Sequence, residues 1–107
     1  MSPWDLRRAV PVTQRVGEFV TVVSVELYGN GICVRWLDDH TPHHGRERFD
    51  NRPRLSDDRG TRYTEHGYTV GTWLSGLHGE IWFTPALSAE ARRLTIAADD
   101  AVLDVEV

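Results

Sequence analysis

The sequence predicts an all-β protein built of two packed antiparallel sheets, about eight short strands in all. The stretch from Phe19 to Asp38, FVTVVSVELYGNGICVRWLD, alternates apolar and polar residues on either side of Asn30-Gly31, the pattern of a half-buried hairpin. Turn signals recur along the chain at roughly the 8 to 12 residues expected of strands folded back on one another. No segment has the 3.6-residue period of an amphipathic helix, and a single sheet would leave one apolar face in water.

The hairpin sets the expected register. With Asn30 and Gly31 as the two turn residues, Leu27 falls opposite Val34, Val25 opposite Trp36 and Glu26 opposite Arg35, the last an opposite-charge pair on the outer face. Phe19, Val23 and Ile32 extend the apolar row, and Trp36 is placed between the sheets. Upstream, residues 1–8 form an expected N-terminal arm, and Val10 to Val16, interrupted by Pro11, suits an edge strand because proline donates no ladder hydrogen bond. Residues 9–107 are read as one domain.

Downstream, Asp38 to Gly45 is a polar loop, and Glu47 to Leu55 fits an exposed edge strand with Phe49 and Leu55 inward. Asp57-Asp58-Arg59-Gly60 has the residues of a tight turn with glycine in the left-handed region, predicted to return the chain as a hairpin through Tyr63. The glycine-rich stretch from Gly67 to Gly79 suits either a twisted strand or a long connection. Glu80 to Thr84 reads as a strand, Ile81 and Phe83 on one face and Trp82 on the other, stopped by Pro85. One helical turn capped by Ser88 is expected over Leu87 to Ala91. Two last strands follow, with Leu94 and Ile96, then Leu103, Val105 and Val107, facing in.

At 107 residues the chain suits one domain that buries roughly two-thirds of its unfolded surface. Its 40% hydrophobic and 26% charged residues are those of a folded chain. All twelve basic residues are arginine, which removes lysine Schiff-base chemistry and the phosphate-loop lysine. A net charge of −4 argues against nonspecific nucleic-acid or anionic-membrane binding. The absence of a long apolar run and of a signal-type N-terminus leads to an expected cytoplasmic location and no membrane association. The lone Cys33 has no partner for an internal disulfide and is read as structural, outward and opposite Tyr28.

The succession VSVELYGNGICVRW, LSDDRGTRY, a glycine-rich stretch, WFTPAL and RRLTI resembles small immunoglobulin-like β-sandwich proteins of unknown function from high-GC bacteria. The likeness spans Val10 to Ile96 and rests on turns and core positions. It implies an immunoglobulin-like antiparallel β-sandwich of about seven to eight strands, and it brings no catalytic residue. The chain departs from extracellular immunoglobulin domains in lacking a cysteine pair.

Candidate chemistry is sparse. His40, His43 and His44 beside Asp38 and Asp39 are ligand types for a divalent ion, but their spacing matches no structural zinc motif; they are read as solvated, with metal or small-ligand binding by residues 38–44 as the alternative function. Asp57 and Asp58 lack the spaced acids of a calcium loop. Gly-x-Ser-x-Gly is absent around Ser75. Arginines 46, 48, 52, 54, 59 and 62 are interleaved with Glu47, Asp50, Asp57 and Asp58, a self-compensated face more than a nucleic-acid site. Tyr68, Trp73, Leu74 and Leu77, among glycines, and the outward Trp82 are the candidate partner-binding residues, because large aromatics on a rigid β-scaffold suit protein contact. The expected function is a noncatalytic interaction module, without cofactor, that binds a protein partner or self-associates as a homodimer.

Overall fold

The computed structural model describes residues 5–17, 20–38, 53–73, 76–98 and 101–107, the side chains of residues 68, 72, 73 and 76 excepted. Eight strands are present among them: β1 (Leu6–Val16), β2 (Val20–Tyr28), β3 (Ile32–Asp38), β4 (Arg54–Asp57), β5 (Thr64–Trp73), β6 (Gly76–Thr84), β7 (Arg93–Ala98) and β8 (Ala101–Glu106). They form two antiparallel sheets, a five-stranded one in the order β1-β2-β3-β6-β5 and a three-stranded one in the order β4-β7-β8. Helix is absent from the described residues.

Both sheets contribute to one core. Val16, Val20, Val22, Val25, Leu27, Ile32, Val34, Trp36, Ile81 and Phe83 of the larger sheet cluster with Leu94, Ile96, Ala98 and Val105 of the smaller. Each fully buried aliphatic side chain contributes about 1.5–3 kcal/mol of transfer free energy, and this is the main force holding the layers together. Asp38 is the one charged residue that reaches the buried class among those described.

The central hairpin forms with its inward face as expected and its register displaced. Leu27 pairs with Ile32, Val25 with Val34, and Ser24 with Arg35. The turn is closed by the Tyr28 N–H donating to the Gly31 carbonyl at 2.8 Å, so Gly29 and Asn30 occupy its centre instead of Asn30 and Gly31. A slip of two residues returns every side chain to the same face, so the apolar pattern cannot resist it. The third strand selects between the two registers: the Gly29 N–H donates to the Asp5 carbonyl at 3.0 Å, and a Cβ on Gly29 would meet the Arg7 guanidinium at 3.1 Å.

A bulge at Val23 supplies the second correction. The β2–β3 register shifts between Val22 and Ser24, and the extra residue reverses the in–out alternation. Val20 and Val22 are therefore buried and Val23 is only half-buried; Phe19 lies outside the described residues. Next to it, β1 shifts register between Pro11 and Gln14, with Thr13 at a φ of 48°. β1 is an edge strand, as Pro11 requires, but it begins at Leu6, so residues 6–8 belong to the sheet instead of the expected arm.

Gly60 takes the left-handed conformation at φ 75°, yet the turn after Asp57 makes no hairpin. β4 pairs with β7 and β5 pairs with β6, so this turn carries the chain from one sheet to the other. Of the stretch from Gly67 to Gly79, the described residues 67–73 and 76–79 are strand, the facing portions of β5 and β6. Ile81 and Phe83 are buried and Trp82 lies on the opposite face. Around Ser88 the expected helical turn is a simple turn, with the Ser88 hydroxyl accepting from the Glu90 N–H at 3.2 Å and its carbonyl accepting from the Ala91 N–H at 3.1 Å.

Candidate functional site

The solvent side of the five-stranded sheet carries a continuous band of aromatic and charged side chains across β2, β3 and β6. Strand pairing builds it. Cys33 sits between Glu26 on β2 and Trp82 on β6, and Arg35 sits opposite Glu80. The Arg35 guanidinium is held at both ends, Nε 2.9 Å from Glu26 Oε2 and Nη1 2.6 Å from Glu80 Oε1. The other Glu26 oxygen accepts the Tyr28 hydroxyl at 2.7 Å, and the Tyr28 ring leans on Trp82 with centroids 5.4 Å apart at 47°, a tilted aromatic pair.

The expected Glu26–Arg35 pair thus exists, but diagonally across the shifted ladder and not between directly opposed residues. Its reach comes from the length of the arginine stem. Hydrogen bonding to Arg35 holds the Glu26 carboxyl below its usual range. Desolvation, together with the bond to Glu26, pushes the Tyr28 phenol up to about 12. Cys33 is fully buried beneath this band, and desolvation pushes its thiol up to about 12, the condition of an inert structural cysteine.

Beside Trp82 the surface opens. Its partner on β5 is Gly67, and a Cβ built there would meet nothing within 4 Å. Trp82 thus stands between Cys33 on β3 and Gly67 on β5, with open space where a side chain at residue 67 would begin. With two carboxylates and one guanidinium, the band can stack against flat or apolar groups and accept hydrogen bonds at its acidic end.

The candidate residues that fall among the described ones lie on β5 and β6. Tyr68 pairs with Ile81 and Trp73 with Gly76; Leu74 lies outside the described residues. Leu77 is half-buried and shares the core-side face of β6 with Gly79 and Ile81, opposite to that of Trp82. Tyr28 and Glu80 were missed because only the nonlocal β3–β6 pairing brings them to Trp82 and Arg35; the available signal was the outward alternation of Glu80 with Trp82.

Asp57 is a hub for the turn it opens. Its Oδ1 accepts the N–H groups of Arg59 at 2.9 Å and Thr61 at 3.0 Å, and its Oδ2 accepts the Tyr63 hydroxyl at 2.7 Å. Burial would raise this carboxyl, but the hydrogen bonds outweigh it and hold the group at about 2. Asp58 accepts the N–H of Arg92 at 3.1 Å and of Arg93 at 3.4 Å, joining the turn to the start of β7. Asp57 serves backbone donors of its own turn, as the turn reading requires, whereas Asp58 serves donors at the distant start of β7.

Among the described residues no group of three or more His, Cys, Asp and Glu side chains is placed to hold a metal ion. His40, His43 and His44, with Asp39, lie outside those residues, as do Ser75, Phe49 and arginines 46, 48 and 52. Of the remaining arginines, Arg59 approaches Glu90 at 3.6 Å in an exposed ion pair. No helix among the described residues is long and apolar enough to cross a membrane. No protein-family model, curated protein or solved structure matches the chain.

Proposed function

We propose that the protein is a noncatalytic interaction module, an immunoglobulin-like β-sandwich that binds a protein partner through the solvent side of its five-stranded sheet. The observation that carries this reading is the aromatic pair of Trp82 and Tyr28, presented on central strands beside the open notch over Gly67. A large ring fixed on rigid strands loses little side-chain entropy on binding, which is why such residues dominate contact energetics. The core shared by both sheets and the molecule's smallest extent of 22 Å are in keeping with two stacked layers.

Affinity capture from extracts of the source organism tests the reading, using the wild type with Trp82→Ala and Gly67→Gln. The second variant fills the notch where nothing opposes a side chain. A partner retained by the wild type and lost with both variants, each still folded by circular dichroism, is the expected result. Equal retention by all three proteins, or turnover of a substrate by the purified chain, overturns it.

A further inference from the structure

Each sheet ends in two edge strands whose outward N–H and C=O groups are templates for another strand. Three of the four edges carry devices that discourage such pairing. β1 has Pro11, a bulge with Thr13 at positive φ, and Arg7, Arg8 and Arg15. β4 is four residues long and ends in Asp57. β8 carries Asp104 and Glu106.

β5 differs. Beyond the register shift between Glu65 and Gly67, the run Gly67 to Trp73, GYTVGTW, contains no charged residue and no proline. Among the described residues its outer edge has no strand partner. The run is also self-complementary about Thr69: antiparallel pairing with a second copy sets Thr69 opposite Thr69, Tyr68 opposite Val70 and Gly67 opposite Gly71. Within this run no charges are opposed. Self-pairing of β8 has no comparable symmetry and concentrates acidic residues.

We infer that β5 is a homodimerisation edge, at which two copies pair antiparallel about Thr69 to give one continuous ten-stranded sheet with twofold symmetry. This goes beyond the Trp82 reading, since it uses the edge of the sheet and not its face. The dimer would set the two Trp82 faces on the same side of the joined sheet.

Light scattering coupled to size exclusion, over a range of concentrations, measures the mass of the wild type, of Thr69→Lys and of Val102→Lys, a control on the exposed β8 edge. A dimer is expected for the wild type and the control, with the dissociation constant raised at least about tenfold in Thr69→Lys. Thr69→Cys tests the register. Directly opposed residues lie about 4.5–5.5 Å apart at Cα, within disulfide reach, so this variant should cross-link to itself under mild oxidation faster than Val102→Cys. A monomer at all concentrations, a dimer unaffected by Thr69→Lys, or equal cross-linking at both positions overturns the inference, whatever the outcome for Trp82.

Discussion

The Trp36 indole covers the Cβ position of Gly79, its partner across the β3–β6 ladder. A Cβ at residue 79 would stand 2.5 Å from Cζ2, 2.6 Å from Cε2 and 3.0 Å from Nε1 of that ring. The glycine is thus a seat for the largest side chain of the core. Gly71 stands in the same relation to His78, where an added Cβ would come within 2.7 Å of Nε2. Glycines that suggest a flexible connector in the sequence are the places where flat rings rest on a sheet, a known device for covering strand glycines. The Trp36 Nε1–H is buried and finds no acceptor among the described residues, a local cost that the packing of the ring must outweigh.

Gly79→Ala should lose about 1–3 kcal/mol of stability, because a well-packed core has little room to yield. Trp36→Leu alone should lose a comparable or larger amount through the cavity it leaves. Combined, they should show a coupling of about 0.5–3 kcal/mol, since leucine removes the atoms that the new methyl meets. Urea unfolding of the four proteins in the cycle measures this, and simple additivity would contradict the contact.

Arg35→Met removes the cation that Glu26 and Glu80 share. The arginine is 36% exposed, so water offsets part of the loss, and a decrease of about 1–2 kcal/mol at pH 7 is expected. Glu26 is held below its usual range by Arg35 in the wild type; without that partner its carboxyl protonates more readily. The deficit should therefore shrink as pH falls below the ordinary glutamate value of 4.5. Chemical denaturation at pH 7 and near pH 3 checks both the size and the trend.

Asp57 gives the fold an acid-sensitive element. Its folded-state carboxyl sits at about 2, below the ordinary aspartate value of 3.8, so between these pH values the unfolded chain binds more protons and stability rises with pH. The contribution is complete above about pH 4 and disappears as pH falls through about 2; it amounts to at most about 2 kcal/mol. Asp57→Asn should lower stability at pH 7 by about 1–2 kcal/mol and flatten the acid limb of the stability curve in that window. Parallel curves for the two proteins would refute the assignment.

Local chemistry accounts for much of what the sequence shows of the fold. Alternation places Ile81 and Phe83 inward and Trp82 outward, Pro85 ends β6, and Leu94 and Ile96 enter the core. Gly60 adopts the left-handed turn that its neighbours call for. Less of the candidate site is legible in this way. Trp82 is visible as an outward aromatic, whereas Tyr28, Glu80 and the notch at Gly67 become its neighbours only through β2–β3–β6–β5 pairing.

What the sequence determined by itself is strand identity, because a period of two and the φ preferences of proline and glycine act within a few residues. Tertiary structure decided the partners and registers: the two-residue slip at Gly29-Asn30, the bulge at Val23, the crossing of the Gly60 turn between sheets and the core-side placement of Leu77. A slip of two leaves apolar patterning unchanged, so its energy is decided by a third strand reaching Gly29 and by an indole that needs a glycine across the ladder. Those groups are distant in the chain and meet only once both sheets have closed on their common core.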